Sequence, residues 1–466
     1  MTNFKQWLGF ADSPENLSSQ ELNHRSLPRI PFEIKPFGAE PLALRSSWMT
    51  MNFYAHMEER GLIEQTNDAA GLSEALKLAA DKSPRDYPGV YCGFDPTAKS
   101  LTLGHLVPLL GLRRAQDHGL RPIVLFGGAT GLIGDPTGRT DMRPMNTQED
   151  IAGYIANFTQ LVGRYFRFDV PNTPVFVNNI DWIGPMTWLD FARNVGVHFT
   201  VAKLLSADVN KSRLEHGLTF MEMGYQLLQS FDFLELFRKY NCILQTGGND
   251  QWSNLLGGTD LIRRVEHKHA FCFTQPLIVD SQGRKLGKTS GNAIWLDPSM
   301  TSPYEFFQYL RNIPDENLEQ TLRQLTFLPL SEIRTLCSPE TNPNKAKERL
   351  AWEVTHLVHG KEEADKALAA AHALFEGGGD LSAAPRVQIA VADVNTGLDV
   401  VSLLAKVGVC PSKSEARRLV QGNGLLLNGE KCADVNYKLQ PADFKHECGG
   451  LLIRKGKKDY TIVELN

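Results

Sequence analysis

The chain has 466 residues, 42% of them hydrophobic and 22% charged, with a formal net charge of −4. That composition excludes a disordered or fibrous protein, and the length requires more than one domain. No apolar run approaches the ~20 residues that cross a bilayer, so a helical membrane protein is not expected.

Seven cysteines (Cys92, Cys242, Cys272, Cys337, Cys410, Cys432, Cys448) are scattered, odd in number and without a C-x-x-C pair. This argues for reduced thiols in a cytoplasmic compartment, against a disulfide framework or a structural zinc site. Residues 1–50 are polar, dotted with proline, and carry Glu15, Glu21, Glu33 and Glu40. Targeting peptides are poor in acids, so this is read as an extension of unknown role rather than a leader. A short helix is expected over Asn52 to Arg60.

From Tyr87 to Asp280, apolar runs such as Ile123-Val124-Leu125-Phe126 and Cys242-Ile243-Leu244-Gln245 lead into glycines and then helical stretches. Alternating strands and helices predict an α/β fold with a doubly wound parallel sheet, which binds ligands beyond the carboxyl ends of its strands. The first domain is taken as 51–300. Residues 301–379 read as helical, with one long amphipathic stretch from Leu350 to Phe375 stopped by Gly377-Gly378-Gly379. Residues 380–397 read as a linker.

The remainder, 398–466, is a small α+β domain with segregated charge. From Val401 onward eleven Lys/Arg face seven Asp/Glu, a surplus of +4 that leaves −8 on the rest of the chain. Within it, Ser414 to Val420 predicts a helix with adjacent Arg417 and Arg418. Asn428-Gly429 after three leucines predicts a hairpin turn, and Arg454 to Lys458 is basic. A basic tail on an acidic body suggests an RNA-facing module, although charge alone favours the plainer reading of a solvated surface.

Five polar motifs fall where strands meet helices. Gly93-Phe94-Asp95-Pro96-Thr97-Ala98-Lys99-Ser100-Leu101-Thr102-Leu103-Gly104-His105 opens a helix, whose free N–H groups suit phosphate. Gly138-Arg139-Thr140-Asp141-Met142-Arg143 and Lys285-Leu286-Gly287-Lys288-Thr289 offer cations to a polyphosphate. Tyr225, Gln229 and Asp232 share one helix face, and three polar groups on a buried-looking face are costly unless they bind something. Gly247-Gly248-Asn249-Asp250-Gln251-Trp252 combines bare backbone with a carboxylate suited to ribose hydroxyls.

In this order the motifs resemble the HIGH and KMSKS signatures of class I aminoacyl-tRNA synthetases. Tyr91-Cys92-Gly93-Phe94-Asp95-Pro96-Thr97-Ala98 and the Tyr225/Gln229/Asp232 spacing narrow the resemblance to tyrosyl enzymes of bacterial type. It runs from about Asn52 to the C-terminus and leaves the first fifty residues aside, since such relatives tend to begin near Met51.

The resemblance implies a Rossmann-like catalytic domain, a helical domain on the anticodon side, an S4-like RNA-binding domain, ATP with Mg2+ on its phosphates, tRNA(Tyr) as acceptor, and a homodimer. It also implies roles. Tyr91 and Asp232 would take the phenolic hydroxyl of L-tyrosine, Tyr225, Gln229 and Asp135 its ammonium, with Gln251 nearby. ATP would meet Cys92, Gly93, Asp95, Gly104, His105, Gly248, Asp250 and Lys288. Thr97, Thr102, Arg139, Arg143, Lys285, Lys288 and Thr289 would serve the phosphates. Arg417, Arg418, Lys455 and Lys457 would face RNA.

One position departs from the family: Thr102 stands where the first signature histidine is usual, and a threonine donates one hydrogen bond without carrying charge. Two rivals remain at this level. A tryptophanyl enzyme shares both signatures but lacks the S4-like tail and has no need of a hydroxyl-binding pair. An RNA-binding protein that has lost catalysis is favoured only by Thr102.

Overall fold

The computed structural model describes residues 52–79, 87–137, 146–207, 210, 214, 217–278, 288–289, 292–375, 385–446, 449–456 and 459–466. Its central sheet comprises β1 (Gln65–Thr66), β2 (Gly89–Phe94), β3 (Arg121–Phe126), β4 (Val175–Asn178), β5 (Cys242–Gly248) and β6 (Phe271–Gln275). Their spatial order is β1-β6-β5-β2-β3-β4. β2 to β6 run parallel, and only the edge strand β1 is antiparallel. From β2 the chain moves outward to β3 and β4, then returns to β5 on the other side. The switch point therefore lies between β2 and β5, where such sheets bind ligands.

Alternation along the strands feeds two cores. Val90, Cys92, Phe94, Val124 and Phe126 join Leu106 and Leu110 of the Leu103–Asp117 helix. Tyr91, Ile123 and Leu125 join Phe233 and Leu236 of the Phe220–Tyr240 helix, and Leu261 and Ile262 of the Trp252–Val265 helix. Helices thus cover both faces, as a buried parallel sheet requires.

The first helix, Phe53–Glu59, is capped by Asn52, whose side chain accepts from the Ala55 N–H at 2.8 Å. The later helical segment joins the first of the two cores. Phe306, Phe307 and Leu310 of the Pro303–Arg311 helix and Leu350 and Val354 of the Pro343–His359 helix share one buried cluster with Leu106 and Phe273. The single stretch expected from Leu350 to Phe375 is in fact two helices, Pro343–His359 and Lys361–Phe375, broken at Gly360 with φ +95°. An L side chain rarely adopts that conformation, whereas glycine adopts it freely.

Two buried arginines, one ending the Phe53–Glu59 helix and one within the Leu103–Asp117 helix, tie this segment to the rest of the first domain. Arg60 and Arg114 are each 1% exposed. Arg60 donates to the carbonyls of Arg323, Thr326 and Leu328 at 2.9–3.2 Å. Arg114 donates to those of Gln324 and Thr326 at 3.0 and 2.8 Å. These carbonyls close the Leu318–Leu325 helix, where backbone acceptors lack intrahelical partners and the helix dipole is negative. Burial still lowers the pKa of both guanidiniums, that of Arg60 to about 10.

A strand pair, β7 (Lys288–Thr289) with β8 (Asn292–Ala293), follows the central sheet. The C-terminal part has its own sheet: β9 (Arg386–Ile389), β10 (Leu425–Leu427), β11 (Glu430–Lys431), β12 (Leu451–Lys455) and β13 (Asp459–Leu465), ordered β11-β10-β12-β13-β9. The hairpin forms as expected, with Asn428 and Gly429 at φ +50° and +85° between β10 and β11. That pair of positive φ values is the turn whose twist matches the strands it joins. Residues 386–397 do not form a linker. Arg386–Ile389 pairs in parallel with β13, and Ile389 and Val394 enter the small core with Leu403, Val420 and Ile453.

Candidate active site

At the switch point β2 presents Tyr91, Cys92 and Gly93 in succession, with Tyr91 opposite Ile123 of β3 and Gln245 of β5. Tyr91 and Cys92 are buried, while Gly93 opens to solvent at the strand end. Asp95, just beyond, accepts from Tyr225 Oη at 2.8 Å and from Thr130 Oγ1 at 2.7 Å. The close approach depends on Gly127, where a Cβ would lie 1.9 Å from Asp95 Oδ1.

The polar face expected on the Phe220–Tyr240 helix is present. Thr219 and Glu222 start that helix with a reciprocal capping box, which satisfies two of its free N–H groups. Tyr225 and Asp232 are buried. Asp232 receives the Trp182 indole N–H at 2.8 Å and the Asn179 amide at 3.0 Å. Burial pushes its carboxyl up to about 8, against the pull of those two donors.

Tyr91 Oη, on a side chain 1% exposed, has no hydrogen-bond partner. Burial and the charge of Asp232 raise its pKa well above the ordinary value. Gln229 Oε1 is likewise buried and unpaired. Buried polar groups are otherwise satisfied, so each of these two atoms leaves a hydrogen bond unmade. Asp135 accepts from Gln251 Nε2 at 2.7 Å on Oδ2, while Thr137 holds the other oxygen, and its charge reaches Tyr225.

Thr102 caps the Leu103–Asp117 helix. Its backbone N–H donates to His105 Nδ1 at 3.1 Å, and its hydroxyl lies 2.9 Å from the same nitrogen. The threonine that replaces the signature histidine is therefore engaged with the second one. Gly104 is exposed, and a Cβ there would meet nothing nearer than Thr102 Oγ1 at 3.8 Å. The backbone at 101–103 pairs with 294–296, through Leu103 N–H to Ile294 O at 2.9 Å and Leu296 N–H to Leu101 O at 2.8 Å. The stretch after the second signature is thus bonded to the start of the first signature's helix.

On the β5 side, Gly248 sits where a Cβ would be 2.7 Å from Asp250 Oδ1. Asp250 and burial together push the Cys92 thiol up to about 12, so Cys92 is an uncharged neighbour of the site. Thr97 is exposed. Arg139, Arg143, Lys285 and Lys457 lie outside the described residues, and Lys288 and Thr289 are described as backbone only.

In the C-terminal part Arg417 and Arg418 are exposed on the Lys413–Gln421 helix. Lys455 is partly committed, donating to Val409 O at 3.0 Å and lying 3.6 Å from Glu415.

Sequence reasoning missed Asn179, Trp182 and Thr130. Asn178-Asn179-Ile180-Asp181-Trp182 follows β4 directly, and a polar cluster at the carboxyl end of a sheet strand is the signal that could have found the first two.

Residues 83–376 match the family described as tRNA synthetases class I (W and Y), and residues 381–463 the tyrosine–tRNA ligase SYY-like C-terminal domain. The tyrosine–tRNA ligase of Clostridium botulinum (strain 657 / Type Ba4) is 47% identical over 415 residues, 89% of this chain and 99% of that protein. That of Clostridium perfringens (strain SM101 / Type A) is 45% identical over 408 residues, 87% of this chain and 98% of that protein. A C-terminally truncated mitochondrial tyrosyl-tRNA synthetase of Aspergillus nidulans superposes with a TM-score of 0.59 at 30% identity, covering 68% of this chain and 92% of that one. These likenesses leave no support for the tryptophanyl alternative. A parallel sheet with its switch point between β2 and β5 and matches spanning both parts of the chain lead to one assignment: the chain belongs to the tyrosine–tRNA ligases of class I.

Proposed function

We propose that the pocket between β2 and the Phe220–Tyr240 helix holds L-tyrosine, with Tyr91 and Asp232 on its phenolic hydroxyl and Tyr225, Gln229 and Asp135 around its ammonium, Gln251 orienting Asp135. The observation that carries this is the buried, unpaired Tyr91 Oη within the field of Asp232. A pocket that hydrogen-bonds a hydroxyl leaves its own groups unpaired when phenylalanine enters, a principle for which tyrosyl-tRNA synthetases are the usual illustration.

As a tyrosine–tRNA ligase the chain joins L-tyrosine to ATP, giving tyrosyl-adenylate and pyrophosphate, then transfers tyrosine to the 3′ end of tRNA(Tyr). Attack of the carboxylate on the α-phosphate needs alignment and charge stabilisation more than covalent help. In our reading ATP lies across Cys92, Gly93, Asp95, Gly104, Gly248 and Asp250, with His105 at the helix start. Thr97, Arg139, Arg143, Lys285, Lys288 and Thr289 meet the phosphates, and Thr102 contributes by holding the His105 ring. Mg2+ would arrive on the phosphates of ATP and neutralise part of their charge.

We assign catalysis to 51–300, the anticodon side to 301–379, and tRNA contact to an S4-like unit that carries Arg417, Arg418, Lys455 and Lys457. The cell compartment is read as cytoplasmic from the free thiols of the six described cysteines. A homodimer is supported by an apolar patch: Trp188, Leu189, Val197, Val201 and Phe220 are 59–69% exposed, and Trp188 meets Phe220 edge to face at 5.6 Å. Exposed apolar clusters of this kind mark association surfaces.

Tyrosine-dependent ATP–pyrophosphate exchange, with phenylalanine and tryptophan as comparators, tests the site. Strong exchange with tyrosine alone is expected, and equal exchange with tryptophan would overturn the reading. Sedimentation of Trp188→Asp tests the dimer, and an unchanged mass would remove that patch from it.

A further inference from the structure

A chain of hydrogen bonds leaves the tyrosine pocket at its phenol end and returns at its activation end. Asn179 donates through Nδ2 to Asp232 Oδ2 and to Thr130 Oγ1, each at 3.0 Å. Thr130 Oγ1 donates to Asp95 Oδ1 at 2.7 Å, and Tyr225 Oη donates to Asp95 Oδ2 at 2.8 Å. Asn179 is fully buried and Thr130 and Asp232 are each 2% exposed, so water does not substitute for the two Asn179 bonds, while Asp95 is half-buried.

The direction of each bond is fixed by valence. The Asn179 carbonyl oxygen accepts the Ala129 N–H at 2.8 Å, which orients the amide and leaves its NH2 for Asp232 and Thr130. Thr130, already accepting from Asn179, has one proton, and that proton goes to Asp95. Gly127 presses on the same carboxylate oxygen, since a Cβ there would fall 1.9 Å from it. Asp95 is thus held by Thr130 and Tyr225, on opposite oxygens, in a slot without spare room.

We propose that Thr130 is a positioning residue for adenylate formation: bridged by Asn179 to the carboxylate that reads the substrate hydroxyl, it sets the orientation of Asp95 beside the nucleotide. The inference rests on the tyrosine and ATP reading above. It extends that reading by making hydroxyl recognition act on the rate of activation as well as on affinity. Tyrosine bonded to Asp232 tightens a network whose other end is Asp95, whereas phenylalanine leaves Asp232 with the Asn179 and Trp182 donors only.

Thr130→Val keeps the shape and removes the hydroxyl that Asn179 and Asp95 share. Single-turnover tyrosine activation by the full-length enzyme should slow about 10- to 100-fold, as loss of a hydrogen bond to a charged group implies. The KM for tyrosine should move less than about threefold, because the bridge touches no substrate atom. Thr130→Ser restores the proton and should return the rate to within about threefold of wild type. The preference for tyrosine over phenylalanine should fall chiefly in kcat. In a double-mutant cycle, Thr130→Val and Asp95→Asn should be strongly non-additive.

An unchanged activation rate in folded Thr130→Val, a loss that appears wholly in KM, or an additive cycle overturns the bridge. If Thr130→Val does not fold, Thr130→Cys keeps the volume with a weak donor and carries the same outcomes. Failure of the underlying reading is separate: wild-type enzyme would then show no tyrosine-dependent exchange at all.

Discussion

Tyr91→Phe should strengthen the free protein while weakening its function. The Tyr91 hydroxyl is buried with no partner, and an unsatisfied buried polar group costs about 1–3 kcal/mol. Phenylalanine keeps the ring against Phe233, centroids 5.2 Å apart, and deletes the atom that has nothing to bond. Allowing for a hydroxyl still polarised by Asp232, the free variant should gain about 1 kcal/mol. That corresponds to a melting point roughly 1–3 °C higher for a chain of this size.

Saturating tyrosine should reverse the order, since only the wild type bonds the phenolic oxygen from this side and ligand stabilisation follows affinity. The lost bond, about 0.5–1.5 kcal/mol, predicts a KM for tyrosine raised about 2- to 12-fold and a similar fall in discrimination against phenylalanine. Calorimetry with and without tyrosine, beside exchange kinetics for both amino acids, measures every term. A free variant that melts lower, with selectivity intact, would refute the reasoning, because the hydroxyl would then serve the fold rather than the substrate.

Asp232 titrates near 8 in the folded protein, above its ordinary 3.8. Its contribution to stability is therefore complete below about pH 4 and lost as pH rises toward 8, and Asp232→Asn should flatten that decline in a series of melts. If the ionised carboxylate is the better acceptor, the KM for tyrosine should fall as pH rises through the same window, whereas the KM for phenylalanine should not. Gly127→Ala forces a Cβ to within 1.9 Å of Asp95 Oδ1 and should slow activation by about 100-fold or more if Asp95 must hold its place. Gly104→Ala meets no protein atom within 3.4 Å, so its melting point should not change, and a raised KM for ATP would locate the nucleotide there. Arg417→Gln with Arg418→Gln should leave exchange intact and reduce the salt slope of tRNA binding by about two; an unaltered slope would remove that helix from the RNA contact.

The nucleotide and amino-acid motifs were legible because each depends on local chemistry: a glycine at a strand end, carboxylates on one helix face, Asn-Gly between two strands. What stayed hidden depends on contacts far along the chain. Arg386–Ile389 has too few apolar residues to declare a strand, and its partner β13 lies about seventy positions on. Asn179 and Trp182 look like an ordinary polar turn until the fold brings Asp232 against them. The reading of Leu350 to Phe375 as one helix gave Gly360 too little weight, although a lone glycine in a helical pattern is often the end of that helix. Lys455 seemed free by composition, but its ammonium is partly spent on Val409. The role of Thr102 changed most, because no motif encodes which neighbour a hydroxyl will choose.

The order of strands in the C-terminal sheet also constrains how this chain can be made. β9 emerges from the ribosome first of the five, yet among the described residues its one neighbour is β13, the last of them. Throughout the synthesis of the intervening helices and the β10–β12 strands, Arg386–Ile389 therefore has no pairing partner of its own. Contacts between such distant segments form slowly because a large loop must close before any bond repays it. A nascent chain stalled before β13 exposes both the β9 backbone and the open edge of β12, which are ready templates for pairing with another chain. Slowing translation across Leu451 to Leu465 should accordingly raise aggregation of the newborn protein.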